Sequence, residues 1–153
     1  MERLYMPFVP LVKLIVTHIS PHLDELKAWW LALRIGEAFF PGLREATERW
    51  NVQFWPAGSE TPDGRTPRQW KKEEGAVLIG VGGAKTAKNP DGAEFDEHES
   101  DSDDSAVTLM AKALGSMHDP ALSGTIRAIH ADDRHGKSSP WALPSILKAL
   151  HAY

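Results

Sequence analysis

The chain contains no cysteine. That excludes disulfides, zinc fingers and thiol nucleophiles, and it leaves His, Asp and Glu to hold any metal. Such a ligand set suits Mn²⁺, Mg²⁺, Fe²⁺ or Zn²⁺. Also lacking is an uninterrupted apolar run of roughly 18 residues, so no membrane span is expected. Residues 1–16 carry Arg3 and a mostly apolar stretch, but Pro7, Pro10 and Lys13 interrupt it and no small-residue cleavage site follows. A short arm leading into a buried strand is expected there rather than a signal peptide, with the cytoplasm as the default location. Positive charge is not in excess: the formal net charge is −4, which argues against general coating of nucleic acid. No internal repeat is visible.

With 153 residues, 42% hydrophobic and 25% charged, the chain fits a single domain spanning 1–153 with a real core. The run 11–16 reads as a buried strand, and 52–55 alternates as a second one before Pro56-Ala57-Gly58. The continuous run 76–81 is the clearest strand and is typical of a parallel sheet covered on both faces. Between them, Leu23, Leu26, Trp30 and Leu33 recur at helical spacing over 23–35, widened by Trp29 and Leu31 and closed by Gly36. Residues 43–50 suggest a short second helix, and 68–73 a helical piece within the polar loop 59–75. Ser105 suits the cap of a helix with Ala106, Leu109, Met110, Ala113 and Leu114 facing inward. A helix over 122–129 places Ile126 and Ile129 inside. A last one, opened by Ser138-Ser139-Pro140, buries Leu143, Ile146, Leu147 and Leu150. This order implies an α/β fold, a parallel β-sheet flanked by helices with right-handed crossovers. The runs 14–17 and 77–81 should then be interior neighbours, with His18 and Gly82 at one edge.

Three clusters of metal-capable side chains stand at the ends of these elements. The first is Thr17-His18-Ile19-Ser20-Pro21-His22-Leu23-Asp24-Glu25. Its plain reading is a helix start, with Ser20 as cap and Pro21 at the first helical position, but that leaves two histidines unexplained. The second is the acidic run 94–104, where His98 sits among carboxylates that a bound cation would relieve. The third is His130-Ala131-Asp132-Asp133-Arg134-His135-Gly136, placed after the 122–129 helix. Three such clusters in an otherwise ordinary sequence point to a metal site.

In order and content these clusters resemble the motifs of the DHH phosphoesterase superfamily, most of all its MYG-type metal-dependent hydrolases. His18-Ile19-Ser20-Pro21-His22-Leu23-Asp24 matches the first motif, and His22-Leu23-Asp24-Glu25 fits its MYG-type form. Val81-Gly82-Gly83 matches the second, although Gly80 stands where a strand-end Asp is expected. Phe95-Asp96-Glu97-His98 resembles the third, Phe-Asp-His-His, with Glu97 in place of the first His; Ser105-Ala106 then opens a helix and Asp132 or Asp133 closes the site. The resemblance spans about residues 11–136 and implies a DHH-like N-terminal domain without the family's second, substrate-binding domain.

On this resemblance His18, His22, Asp24, Asp96, His98 and Asp133 hold divalent metal, foremost Mn²⁺, with Mg²⁺ or Zn²⁺ as alternatives. The first ion falls to His18, Asp24 and Asp96, a second to His22, His98 or Asp133. Asp96 and His98 are the catalytic candidates, His98 as general acid. Arg65, Arg68 and Lys85 are the candidates for gripping a substrate phosphate. The expected activity is hydrolysis of a phosphoester in a nucleotide or short oligonucleotide, with RNA favoured by the MYG-type resemblance. The partner is thus a phosphate-containing small molecule or short nucleic acid, and no membrane. The alternatives are a non-catalytic metal- or nucleotide-binding module of the same fold, and an acidic protein-interaction domain. Gly80→Asp is expected to strengthen metal binding if the backbone there does not require a positive φ.

Overall fold

The structure, a computed structural model, describes residues 9–83, 85–87, 89, 92–98, 102–136 and 143–151, without the side chains of 143, 144, 147 and 148. Three short runs form strands, two of them rich in β-branched and aliphatic residues and one, β2, carrying two aromatics: β1 (Leu14–His18), β2 (Val52–Trp55) and β3 (Ala76–Ile79). All pair in parallel in the order β2-β1-β3. Ile15 lies opposite Val52 on one side and Val77 on the other, and Thr17 opposite Phe54 and Ile79. Helices α1 (Leu23–Ile35), α2 (Leu43–Glu48), α3 (Pro67–Glu74), α4 (Ala106–Ala113), α5 (Ser123–His135) and α6 (Leu143–His151) complete the chain. The fold is therefore α/β, a parallel sheet flanked by helices. Among the described residues no helix is long and apolar enough to cross a membrane.

Strand alternation divides the core between the two faces of the sheet. Ile15, Val77 and Ile79 pack with Ala28, Leu31 and Ala32 of α1, Val107 and Met110 of α4 and Ile126 of α5. On the other face Val16, Ala76, Leu78 and Val81 meet Leu14, Trp55 and Trp70. Each fully buried Leu, Ile or Met contributes about 1.5–3 kcal/mol relative to exposure. Among the described residues only β1 is interior; β3, expected there too, lies at the edge of the sheet. It is nonetheless buried at all four residues, because α3 packs back against it. Beyond its end the Gly80 N–H donates to the Phe95 carbonyl at 2.7 Å.

Four expectations need correction. The helix 23–35 forms as expected, but its buried face is Asp24, Glu25, Ala28, Trp29, Leu31 and Ala32, while Trp30 is 41% exposed. Counting large apolar side chains misplaces this face, since two acids point inward and small Ala28 and Ala32 let α4 approach closely. The α1 cap is His22, not Ser20: the His22 N–H donates to Glu25 Oε2 at 2.7 Å, and Ser20 sits before it at φ +55°. The third cluster is not a terminus beyond a helix, because α5 continues to His135 and carries Asp132 and Asp133 on its last turns. In α6, Ile146 and Leu150 are exposed at 44% and 66% rather than buried, the sheet faces being already covered by other helices. Ser138-Ser139-Pro140 and the side chains of Leu143 and Leu147 lie outside the described residues, as do 1–8 and 99–101.

The orientation of α1 is open to measurement. Leu31→Ala, at a fully buried position, should cost about 2–5 kcal/mol in urea unfolding. Trp30→Ala should cost roughly 0.5 kcal/mol or less, as a surface change. The opposite ranking would mean the helix is rotated.

Candidate metal centre

The carboxyl ends of parallel strands open into a crevice where ligands bind in α/β sheets. β1 delivers His18 there, opposite Trp55, and the turn into α1 delivers His22, Asp24 and Glu25. The segment 95–98 passes beside Gly80 and brings Asp96, Glu97 and His98, and the last turns of α5 bring Asp133. Ligand-type atoms converge in four overlapping groups, each within 4.8 Å: His18, His22 and Glu25; His22, Asp24 and Asp133; Asp96, Glu97 and His98; Asp24, Glu25 and Glu97.

Burial makes this cluster unusual. His18, Asp24, Glu25, Asp96 and Glu97 are exposed by 1%, 1%, 2%, 3% and 5%. Buried charges ordinarily carry a partner. Among the described residues no lysine or arginine forms an ion pair with Asp24, Glu25 or Glu97. Asp24 Oδ2 accepts the Ala106 N–H at 3.3 Å, but Asp24 Oδ1, Glu97 Oε2 and His18 Nε2 have no hydrogen-bond partner. His18 Nε2 lies 3.1 Å from Glu25 Oε1 without hydrogen-bond geometry, while its Nδ1–H donates to the Ile19 carbonyl at 2.8 Å. That outer bond holds the ring with Nε2 turned to the carboxylates, as in metal-ligating histidines. Buried N and O donors of hard and borderline character, two of the carboxylate oxygens without a hydrogen-bond partner, fit a divalent cation such as Mn²⁺.

The electrostatics agree. Burial, with Glu25, Asp133 and Glu97 nearby, pushes the Asp24 carboxyl up to about 9. Burial also raises Glu97 to about 7. Asp133 is raised by burial and by Glu25. Burial would raise Glu25 as well, but the His18 imidazole 3.1 Å away outweighs it and lowers that carboxyl. His98 is raised to about 9, chiefly by the Nδ1–H donated to Asp96 Oδ1 at 2.7 Å.

The cluster unites all six expected metal ligands and both catalytic candidates. Asp96 differs from the others in being fully used: Oδ2 accepts the Gly83 N–H at 3.0 Å and Oδ1 accepts the His98 N–H at 3.1 Å as well as its ring. Glu25, absent from the expected ligand set, is a central member, and so is Glu97, which in place of the third motif's first His can still bind a metal. The signal for Glu25 was its place in the His22-Leu23-Asp24-Glu25 run, and its capping role obscured it. The phosphate-binding candidates fare differently. Arg65 is spent on Asp63, Glu73 and Glu74 and stacks over Trp70. Arg68 pairs with Glu94 at 3.0 Å, and Lys85 is exposed on its loop. The condition on Gly80→Asp is not met: Gly80 has φ +70°, and a Cβ there would lie 2.8 Å from Glu25 Cγ. No protein-family model matches the chain, and neither a curated protein nor a solved structure matches it.

A pH dependence follows for the cation-free protein. Asp24 and Glu97 hold protons in the folded state well above their ordinary values of 3.8 and 4.5. The folded state therefore binds more protons than the unfolded one, and stability falls as pH rises. His98, raised from 6.5 to about 9, acts in the same direction, since its pairing with Asp96 is lost as pH rises through that value. With chelator present, the melting temperature should decline from about pH 6 to about pH 9, and Asp24→Asn should flatten the decline. Calorimetry showing a rise over that window would contradict the assigned protonation.

Proposed function

We propose that the protein is a metal-dependent phosphoester hydrolase acting on a nucleotide or short oligonucleotide, with Mn²⁺ as the preferred cation and Mg²⁺ or Zn²⁺ as substitutes. The observation carrying this reading is that buried Asp24 and Glu97, each with one carboxylate oxygen lacking a hydrogen-bond partner, converge on Glu25, which in turn groups with His18 and His22 in the crevice at the end of β1. The motif resemblance to MYG-type DHH hydrolases supports the same chemistry and favours RNA. His18, His22, Asp24, Glu25 and Glu97 would hold the cation, with Asp133 closing the side formed by α5. The chemistry such a cation supplies when bound is activation of water near neutral pH. His98 keeps a proton, with Nδ1 fixed on Asp96, and is assigned to donate from Nε2 to the leaving oxygen. Asp96 holds that ring in place and is itself held by the Gly83 N–H. Of the three phosphate candidates Lys85 retains that role, because Arg65 is committed to carboxylates.

A non-catalytic metal- or nucleotide-binding module is the second reading. Gly80 favours it, since β3 ends without a carboxylate of its own. An acidic docking surface is less well supported: Asp96 and Glu97 are buried, and Asp104 is bound by Lys112 at 2.6 Å.

The test is cation dependence. Mn²⁺ should raise the melting temperature by binding only the folded state, and a chromogenic phosphodiester should be cleaved only with divalent cation present. His18→Ala should lower kcat/KM by at least the roughly 10–100-fold that loss of an outer partner of a metal ligand costs. Asp103→Asn, at a side chain 77% exposed, should leave both readouts unchanged. Stabilisation without turnover would select the binding module, and no Mn²⁺ effect at all would remove the metal.

A further inference from the structure

Glu25 has a position that capping alone does not require. Its Oε2 accepts the His22 N–H at 2.7 Å, which completes the start of α1. The rest of the side chain reaches across to the end of β3, where Cγ and Oε1 lie 2.8 and 3.0 Å from the point a Gly80 Cβ would take. Oε1 is also 3.1 Å from His18 Nε2. Glu25 belongs both to the group with His18 and His22 and to the group with Asp24 and Glu97. The second of these contains the orphaned oxygens Asp24 Oδ1 and Glu97 Oε2, in residues 1% and 5% exposed.

We infer that Glu25 is the shared cation ligand that joins the histidine side of the site to the carboxylate side, and that residue 80 must be glycine because Glu25 fills its side-chain volume. The inference rests on the cation reading above and adds to it the origin of the central carboxylate: helix α1, not strand β3. A side chain at position 80 would push Glu25 off His18 even without touching any other member of the site.

Mn²⁺ titration of the full chain by calorimetry, paired with melting temperature, tests this apart from any turnover. Glu25→Gln keeps an acceptor for the His22 N–H and removes the charge. It should weaken Mn²⁺ at least as much as the roughly 10–100-fold cost of losing an outer partner. Gly80→Ala should weaken it comparably by displacing Glu25. Gly115→Ala controls for backbone strain: Gly115 has φ +66° with nothing near its Cβ position, so its replacement should leave Mn²⁺ affinity unchanged. In a Glu25→Ala background Gly80→Ala should cost no further affinity, because the two changes act through one side chain. Gly80→Asp should lose affinity in the natural chain and regain part of it alongside Glu25→Ala. Wild-type affinity in Glu25→Gln, or a full additional loss from Gly80→Ala on top of Glu25→Ala, overturns the inference while leaving the cation site standing. A wild-type chain that binds no Mn²⁺ removes both. Should Gly80→Ala fail to fold, Glu25→Gln alone decides, since it keeps the cap.

Discussion

Three carboxylates in one dry crevice repel each other, and the architecture around them answers that repulsion. At 4.8 Å, the span within which Asp24, Glu25 and Glu97 place their oxygens, two unit charges cost about 3 kcal/mol at an effective dielectric of 20. Without a cation the protein has only partial answers. His18 faces Glu25, His98 is tied to Asp96, and the first N–H of α4, Ala106, points at Asp24. The N-terminal end of α4 adds the positive end of a helix dipole. The remaining cost appears as protons retained on Asp24 and Glu97. A structure serving only stability would replace such acids by apolar groups, because a buried charge without its partner is strongly destabilising.

The same contacts tie the site to the fold. Asp24 lies on α1 but bonds the start of α4, so two of the helices that cover one face of the sheet are joined at the crevice. Ser105, the cap of α4, contacts His130 Nδ1 at 3.1 Å and thereby holds α5, which carries Asp133. The arms of the cluster thus arise at the end of β1, the start of α1, the last turns of α5 and the loop segment 95–98, against a central strand whose residues Ile15 and Val16 are fully buried.

Much of this was legible in the sequence where periodicity is strong. β2 and α1 occupy the expected residues, β3 falls within its expected run, and β1 overlaps its run but continues to His18, because short apolar stretches bounded by Gly and Pro leave few alternatives. The inward face of α1 was not legible, since hydrophobicity ranks Trp30 above Asp24 and Glu25 while the chemistry of the crevice ranks them oppositely. The end of α5 was missed for a related reason: His130 to Gly136 reads as polar punctuation, yet the helix continues to a left-handed Gly136. Individual site residues could be named, but which carboxylate occupies the centre depends on Gly80 leaving space for Glu25, a packing fact with no local signature. Arg65 is the converse case. Its cationic type suggested phosphate, and only three-dimensional neighbours reveal that carboxylates already saturate it.

The two best-defined histidines show how outer partners separate roles among identical side chains. His18 gives its Nδ1 proton to a backbone carbonyl, a neutral acceptor that orients the ring so that Nε2 faces Glu25 at 3.1 Å. His98 gives its Nδ1 proton to a carboxylate, which stabilises the doubly protonated ring and keeps a proton on Nε2. An Nε2 that faces a buried carboxylate, with the other nitrogen on a neutral carbonyl, can exchange its proton for a cation, whereas an Nδ1 proton held by a carboxylate keeps the ring charged and suits proton transfer. Their rings are 6.3 Å apart and nearly perpendicular, one carried by the end of β1 and the other by the segment 95–98. Such a division needs no difference in residue type. It needs only that Ile19 place a carbonyl beside one ring and Asp96 a carboxylate beside the other.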